Sequence, residues 1–223
     1  MSNALFVRIL GGLIIGVSGS AQAQEISSNV TLATDYIFRG VTQTDHSPAI
    51  QGGFDVTGSS FYAGSWASNV DFNDGTNIEL DLYAGITPTF GEFTFDLGGI
   101  FYAYPGSPDD AGEQDFVEVF AGVSRDFGAL SWDVKLSYSS DFYLETGPAW
   151  YREIGVALPL SDTLSLDGRY GRSTFDDIPS ADYEDYQLGL TLSALDLDWD
   201  LRWYDSAITD SRVVFSISRS FGG

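Results

Sequence analysis

Few residues of this chain are of the types that carry out catalysis. Its one histidine, His46, is followed directly by Ser47, and there is no cysteine. Adjacent side chains in a loop do not make a Ser–His dyad, because the histidine must be oriented by a third group. One histidine without cysteine also excludes a structural zinc site and a thiolate nucleophile. The sequence therefore predicts no catalytic residue, no resident metal and no cofactor.

Acidic residues dominate the charge, with 32 Asp and Glu against 10 Lys and Arg and a formal net charge of −22. Such a surface repels nucleic acid and suits a cationic partner or permeant. Two acidic clusters fall in predicted loops, where oxygen ligands can hold calcium or bridge lipopolysaccharide through divalent ions. Neither cluster has EF-hand spacing, so solvated loops are the other interpretation. The clusters are Asp109, Asp110, Glu113 and Asp115, and Asp176, Asp177, Asp182, Glu184 and Asp185.

Residues 1–23 have the pattern of a cleaved signal peptide. Arg8 precedes an apolar run from Ile9 to Val17, and Ala21-Gln22-Ala23 supplies a small-x-small cleavage site. The segment is too short for a spanning helix, although an N-terminal anchor is the alternative. We expect export and cleavage before Gln24, which changes the net charge from −22 to −23 because the positive charge of Arg8 is lost.

The remaining residues, 24–223, are predicted to form one domain made of strands. Residues 195–205 show the pattern most clearly, since Leu and Trp alternate with Asp, Arg and Tyr. Alternate residues of a strand point to opposite faces, so each segment has one oily and one polar face. Segments of roughly 9–13 residues match a tilted membrane-spanning strand. We predict about twelve strands, near 27–39, 47–57, 60–70, 77–88, 92–104, 115–125, 129–140, 149–159, 162–173, 183–193, 195–205 and 211–221.

The predicted connections alternate between short and long. This alternation is typical of a closed antiparallel transmembrane β-barrel of the bacterial outer membrane, with short periplasmic turns and longer extracellular loops. An even strand number then places both termini on the periplasmic side. The short connections are 58–59, 89–91, 126–128, 160–161 and 194; the longer ones are 40–46, 71–76, 105–114, 141–148, 174–182 and 206–210.

Aromatic residues cluster near the ends of the predicted strands, where interfacial girdles of outer-membrane barrels lie. A soluble β-sandwich, or a periplasmic barrel with an oily interior, would show the same alternation, because the pattern alone does not set which face is wet. The predicted girdle residues are Tyr36, Phe38, Tyr102, Tyr104, Phe142, Tyr143, Trp150, Tyr151, Trp203 and Tyr204.

Three segments carry a family resemblance. Asp35–Thr44 reads DYIFRGVTQT, Pro48–Gly53 reads PAIQGG and Ser68–Phe72 reads SNVDF. These segments resemble the TorF family of porin-type bacterial proteins; the match is densest over residues 29–72 and extends over the whole mature chain. The resemblance implies an outer-membrane porin-like barrel. It implies no established substrate and no catalytic residues.

If the oily faces contact lipid, the polar faces line the lumen, where acids outnumber bases. Rings of Asp and Glu in a narrow pore favour cations. Alternatively the charges pair across the barrel and plug it, and twelve strands allow either outcome. The predicted lumen-lining residues are Asp35, Arg39, Asp55, Glu79, Asp81, Asp96, Asp133, Lys135, Asp167, Arg169, Asp196, Asp198, Asp200 and Arg202.

Two of these residues, Asp35 and Arg39, fall on the first predicted strand. We expect them to form a constriction or latch with Glu79 and Asp81, or else a structural ion pair that fixes strand register.

The sequence thus predicts an outer-membrane porin-like channel for passive diffusion of small hydrophilic solutes, with weak cation selectivity. The alternative is a closed structural or adhesion-type barrel whose acidic outer loops bind a partner or divalent ions. The expected partners are outer-membrane lipid, lipopolysaccharide and small solutes, but no nucleic acid. The last strand, which ends near Phe221, resembles the C-terminal recognition signal of outer-membrane proteins, so we expect the barrel-assembly machinery to bind it.

Overall fold

Twelve long antiparallel strands form one closed sheet in the computed structural model, which describes residues 24–222. The predicted fold class and the number of strands are confirmed. The predicted signal peptide, residues 1–23, lies outside the described residues. The strands are β1 (Glu25–Ala33), β2 (Ala49–Thr57), β3 (Phe61–Asn69), β4 (Ile78–Ile86), β5 (Phe93–Ala103), β6 (Phe116–Asp126), β7 (Ser131–Ser139), β8 (Ala149–Pro159), β9 (Leu164–Phe175), β10 (Tyr183–Ala194), β11 (Leu197–Ser206) and β12 (Thr209–Gly222).

Every strand pairs with its neighbours in sequence, and β1 closes the ring by pairing with β12. The closing register runs from Ser27 opposite Gly222 to Ala33 opposite Ser216. Closure leaves no unpaired sheet edge, which is the condition for strands to cross a bilayer.

No helix within residues 24–222 is long and apolar enough to cross a membrane.

The oily faces of the strands point outward and the polar faces point inward. On β11, the side chain of Leu201 is 52% exposed, whereas the next residue, Arg202, is 1% exposed. The same arrangement recurs around the ring: Val, Leu, Ile and Phe side chains are exposed on the outer face, and Ser, Thr, Asp, Glu and Arg side chains are buried on the inner face. A soluble sandwich or an oily-cored barrel would show the opposite arrangement, so both alternatives are wrong. Such a continuous apolar exterior is suited to a bilayer.

Long connections gather at one end of the barrel, the loop end, and short ones gather at the other, the turn end, where β1 begins at Glu25 and β12 ends at Gly222. The predicted alternation is confirmed except at the last connection. Predicted over residues 206–210, it is a two-residue turn, Ala207–Ile208, because Ser206 and Thr209 already pair across β11 and β12. Their hydroxyl oxygens lie 3.0 Å apart and tie the turn together.

The first strand is shorter than predicted and ends at Ala33 rather than at residue 39. The chain then folds back on itself as a small hairpin in which Ile37–Phe38 pairs with Val41–Thr42. Arg39 and Gly40 form its turn with φ values of 48° and 79°. Two consecutive positive φ values are those of a type I′ turn, for which glycine is favoured. We call residues 35–44 the lumen hairpin.

Most of the predicted girdle aromatics lie inside the loop end instead of facing lipid. Tyr102 is 7% exposed and Tyr104 is 6% exposed, and they pack with the lumen hairpin and neighbouring loops. Tyr151 is also buried, at 6%, while Trp203, at 40%, lies on the outer face. The girdle prediction is therefore wrong for most residues. Tyr102 and Tyr151 lie on the inner faces of β5 and β8, and loops that fold inward carry others of these aromatics with them. The loop-end aromatic cluster consists of Val70, Tyr102, Tyr104 and Phe116, with Tyr36, Phe38, Phe72, Ile100, Phe142 and Tyr143 packed on them.

Candidate functional site

Long polar side chains inside the barrel lie along the wall and reach a carboxylate two strands away. Arg202 on β11 donates from Nη1 to Asp167 Oδ2 on β9 at 2.5 Å and from Nη2 to Oδ1 at 2.9 Å. The strand between them presents Gly189, where an added Cβ would come within 2.6 Å of Arg202 Nη1. Glycine at this position therefore lets the guanidinium lie flat on the wall.

The same arrangement recurs around the ring. In each case an Arg or Tyr side chain passes over a glycine of the intervening strand, and the carboxylate beyond it accepts a hydrogen bond. These hydrogen bonds run along the wall and do not cross the barrel axis. They are therefore not the pairs across the barrel that were predicted, as an alternative, to plug the lumen. The further examples are Arg169 over Gly155 to Asp133 at 3.2 Å, Tyr62 over Gly85 to Asp96 at 2.8 Å, Tyr83 over Gly64 to Asp55 at 2.6 Å, and Tyr151 over Gly171 to Asp185 at 3.2 Å.

Every basic side chain that the described structure places in the lumen or its mouth forms an ion pair. Glu153 on β8 is shared by Lys135 at 3.1 Å and Arg169 at 2.7 Å, and it is buried. Arg202 also binds Asp200, at 3.0 Å. Buried bases in barrels are held in this way because an unpaired charge in a low-dielectric site is costly. The paired bases are Arg39, Lys135, Arg169, Arg202 and Arg212.

Acids exceed bases on the inner wall, so a set of carboxylates there has no basic partner. Within residues 24–222 these carboxylates lie in no ion pair and bind hydroxyls or nothing. Their uncompensated charge makes the lumen negative, and a low-dielectric wall focuses such a field. The set comprises Asp55, Glu79, Asp81, Asp96, Asp185 and Asp198.

Most of the predicted lumen-lining residues do lie on the inner face of the strands; their role in selecting solutes stays a prediction. The sequence found them because alternation fixes a face once the oily side is known. The residues on the inner face are Asp55, Glu79, Asp81, Asp96, Asp133, Lys135, Asp167, Arg169, Asp198, Asp200 and Arg202.

Asp196 was predicted to line the lumen, and this prediction is wrong. Leu195 and Asp196 form the turn between β10 and β11, with φ values of 59° and 58°, and both are exposed. Two positive φ values make a tight two-residue turn, so the alternation of β11 begins only at Leu197.

Glu118 and Glu153 are buried inner-wall acids that the sequence prediction missed. Glu118 interrupts an otherwise apolar segment of β6, FVEVF, whereas Glu153 in β8 lies between Arg152 and Ile154. A lone acid between apolar neighbours is the signal that could have identified Glu118, since a strand residue flanked by lipid-facing residues points inward.

The lumen hairpin crosses the loop end from β1 to the opposite wall. Arg39 donates from Nη1 to Glu118 Oε1 at 2.8 Å and from Nη2 to Oε2 at 2.7 Å. Its guanidinium also lies 4.1 Å from the ring centroid of Tyr151 on β8. The carbonyl of Gly40 accepts a hydrogen bond from Thr209 Oγ1 at 2.8 Å. These contacts on β6, β8 and β12 fix the hairpin across the mouth of the barrel.

Asp35 fastens the base of the lumen hairpin. It accepts hydrogen bonds from Thr42 Oγ1 at 2.7 Å and Thr44 Oγ1 at 2.9 Å, and it pairs with Arg212 of β12 at 2.7 Å. The predicted ion pair between Asp35 and Arg39 is wrong, because the hairpin carries Arg39 away to Glu118. The segment DYIFRGVTQT is thus the hairpin itself.

The predicted latch of Asp35 and Arg39 with Glu79 and Asp81 is also wrong. The hairpin residue that binds there is Tyr36, whose hydroxyl donates to Glu79 Oε1 at 3.1 Å.

His46 lies beside an acid and a base at the loop end. Its Nδ1 is 3.5 Å from Asp35 Oδ2 and contacts Arg212. Among the hydrogen bonds of residues 24–222, none joins His46 to a serine side chain. The arrangement therefore gives no nucleophile activated by a histidine.

The acids of the outer loops serve partly as caps and ties. Asp115 accepts the backbone N–H of Tyr104 at 2.8 Å, and Asp182 accepts that of Phe175 at 2.9 Å. The backbone N–H of Thr76 holds the pKa of Asp74 below its ordinary value, with help from the side chain of Gln114. Over residues 24–222 no group of three or more His, Asp or Glu side chains is placed to hold a metal ion.

The family is evident from comparison with known proteins. A family model described as "Bacterial protein of unknown function (Gcw_chp)" matches residues 18–221. The chain belongs to the Gcw_chp family. No curated protein matches the chain.

Solved structures with a similar fold are outer-membrane barrels. The structure of KdgM porin superimposes with a TM-score of 0.64 at 7% identity, covering 88% of this chain and 99% of that one. An outer membrane channel from Pseudomonas putida F1 gives a TM-score of 0.59 at 9% identity, covering 94% of this chain and 100% of that one. At 7% and 9% sequence identity, the comparison shows similarity of fold alone. This member of the Gcw_chp family shares its fold with porin and channel barrels.

Proposed function

We propose that this protein is an outer-membrane channel of the porin type, as the resemblance to the TorF family implies, and that it passes small hydrophilic solutes by passive diffusion. The observation that carries the proposal is the arrangement of the inner wall. Arg and Tyr side chains lie flat over glycines, as Arg202 does over Gly189, so their hydrogen bonds run along the wall rather than across the barrel axis. The fold shared with porin and channel barrels supports the same function.

Weak cation selectivity follows from the charge of the wall. The inner bases are neutralised by acids, while a further set of acids that includes Asp55, Asp96 and Asp198 carries no basic partner within the described structure. The remaining charge is negative, which raises the local concentration of cations and lowers that of anions.

The lumen hairpin supports a second candidate, the closed structural or adhesion-type barrel. Arg39 and Glu118 join the hairpin to the wall through two charge-assisted hydrogen bonds, and both side chains are at least nine-tenths buried. In the channel proposal this hairpin narrows the loop end and sets the size limit. In the alternative it shuts the lumen, and the outer loops carry the function.

Conductance of the refolded mature chain, residues 24–223, in planar bilayers separates these two candidates. We expect discrete steps in KCl and, under a salt gradient, a reversal potential on the cation-selective side. A barrel that folds, as judged by heat-modifiable migration in gel electrophoresis, but does not conduct would contradict the channel and leave the closed barrel.

The cation preference has its own control. Replacing Asp96 and Asp198 by Asn should move the reversal potential toward zero, because both are inner acids without a basic partner. Replacing Asp210, an exposed residue near the loop end of β12, should leave it unchanged. An equal shift in both variants would mean that selectivity arises outside the lumen.

The same proposal includes export through residues 1–23. It also includes recognition, by the barrel-assembly machinery, of the strand that ends near Phe221.

A further inference from the structure

Two acids on β4 are buried without a compensating charge. Glu79 is 2% exposed and Asp81 is 6% exposed, and they lie two residues apart on the inner face of the strand. Glu79 Oε2 and Asp81 Oδ1 accept no hydrogen bond, and within residues 24–222 neither carboxylate forms an ion pair. Burying such oxygens unsatisfied is unfavourable, so a cation that reached them would be bound.

A third unsatisfied oxygen belongs to the same wall. Gln51 on β2 is 4% exposed, and its Oε1 accepts no hydrogen bond. The registers place Gln51 opposite Ser68 of β3 and Ser68 opposite Glu79 of β4, so the three residues form one row across the wall. This row and Asp81 offer hydrogen-bond acceptors without a neighbouring basic donor.

Aromatic rings surround these acceptors. The ring of Tyr36, from the lumen hairpin, packs against Trp66 with centroids 5.2 Å apart, and its hydroxyl binds Glu79. Trp66 and Tyr102 are the direct neighbours of Asp81 on β3 and β5. Ring faces attract cations, and most strongly so where water is excluded.

We propose that Glu79, Asp81 and Gln51 bind the primary ammonium group of a small solute beneath the lumen hairpin. An ammonium group carries three N–H donors and no acceptor, which matches three acceptor oxygens. Charge-assisted hydrogen bonds to carboxylates are also the strongest of their kind. A calcium site would need six to eight oxygen ligands, and the described residues offer no acid cluster of metal-binding form. The inference deepens the proposed function, because it assigns basic solutes to the channel.

Binding of two cations of equal charge tests this site directly. Ethylammonium has N–H donors and tetramethylammonium has none, so we expect ethylammonium to bind the folded mature protein at least about tenfold more tightly. Isothermal titration in detergent gives both affinities, and the fluorescence of Trp66, beside the site, should change with ethylammonium. Equal affinity for the two cations would overturn the proposal.

The variants locate the site. The double change Glu79→Gln and Asp81→Asn removes both charges at nearly constant volume and should abolish the preference for ethylammonium. The control is Asp55→Asn, an inner acid whose carboxylate already binds Tyr83, and it should keep the preference. Preserved binding in the double variant would contradict the assignment. If that variant does not refold, Gln51→Leu, which removes only one acceptor, should weaken ethylammonium binding without affecting tetramethylammonium.

Conductance distinguishes failure of this site from failure of the channel. A conducting barrel that does not prefer ethylammonium refutes the site and leaves the channel standing. A barrel that binds ethylammonium through Glu79 and Asp81 but does not conduct refutes the channel and supports the site.

Discussion

The two ends of the barrel use the same polar chemistry in opposite ways. At the turn end, Tyr62 and Tyr83 bind acids of the wall two strands away, and the interior stays lined by flat side chains. At the loop end, Arg39 makes an equally short contact with Glu118, but it comes from a hairpin that enters from β1. A polar pair thus lies along the wall when both partners belong to the wall, and it ties a loop across the mouth when one partner belongs to that loop.

A buried cluster of aromatic residues also lies at the loop end. Tyr102 and Phe116 stack there nearly parallel, with centroids 4.4 Å apart, and Phe142 packs at a tilt on Phe116 at 4.5 Å. Apolar packing supplements the polar contacts of the lumen hairpin at this end, whereas hydrogen bonds and ion pairs hold the rest of the inner wall. Changes at the loop end should therefore act mainly on permeability, and changes along the wall should act mainly on stability.

Removing the lumen hairpin should have the largest effect. If residues 36–43 are replaced by a short Gly-Ser linker, the obstruction across the mouth disappears, and single-channel conductance should rise about severalfold, since conductance grows with the open cross-section. The same linker in place of residues 178–181, an exposed segment of the loop between β9 and β10, should leave conductance unchanged. Unaltered conductance in the hairpin variant would mean that the mouth is not the narrowest point.

Loss of Arg202 should destabilise the wall most. Arg202→Ala leaves Asp167 and Asp200 buried beside each other without a cation, which costs about 3–5 kcal/mol. The matched control is Arg172→Ala, whose pair with Glu184 is half exposed and contributes about 0–1 kcal/mol. Urea unfolding in lipid vesicles gives both values. A similar small loss in both variants would show that the wall pairs are as weak as surface pairs.

Replacing Gly189, the glycine beneath Arg202, tests whether the guanidinium needs this space to lie flat on the wall. Gly189→Ala places a Cβ against the guanidinium, so Arg202 must move toward the lumen. We expect about 1–3 kcal/mol of destabilisation from overpacking, together with a lower conductance. Gly168→Ala is the control, because a Cβ there meets only ordinary contacts, the nearest at 3.6 Å. Conductance that stays constant in Gly189→Ala would show that the space above this glycine lies outside the path of ions.

A single wall hydrogen bond should have the smallest effect. Tyr62→Phe removes the donor to Asp96 and should lower the free energy of unfolding by about 1 kcal/mol. Tyr138→Phe, in which the ring packs on Trp150 at 4.5 Å, serves as the control for loss of a hydroxyl. If Tyr62→Phe lowered the free energy of unfolding as much as Arg202→Ala does, ion pairs and neutral hydrogen-bond donors would contribute equally to the stability of this wall, contrary to our expectation.

The sequence alone determined the strand content, the number of strands and the inner residues of most of them. Alternation survives in a single sequence because each strand residue faces either lipid or lumen, and the two environments demand opposite chemistry. Asp133, Arg169 and Arg202 lie on the inner face, as alternation predicts. The same rule failed at Asp196, where a two-residue turn shifts the start of a strand.

Only the tertiary structure decided which polar groups meet. Asp35 and Arg39 look like neighbours on one strand, yet the chain leaves the sheet after Ala33 and carries them to Arg212 and Glu118, far along the sequence. Loops that fold inward leave no periodic signal, because their positions depend on contacts with distant strands rather than on a local pattern. The same holds for the aromatic residues at the loop end. The sequence placed them in interfacial girdles, whereas the tertiary structure places most of them inside the barrel.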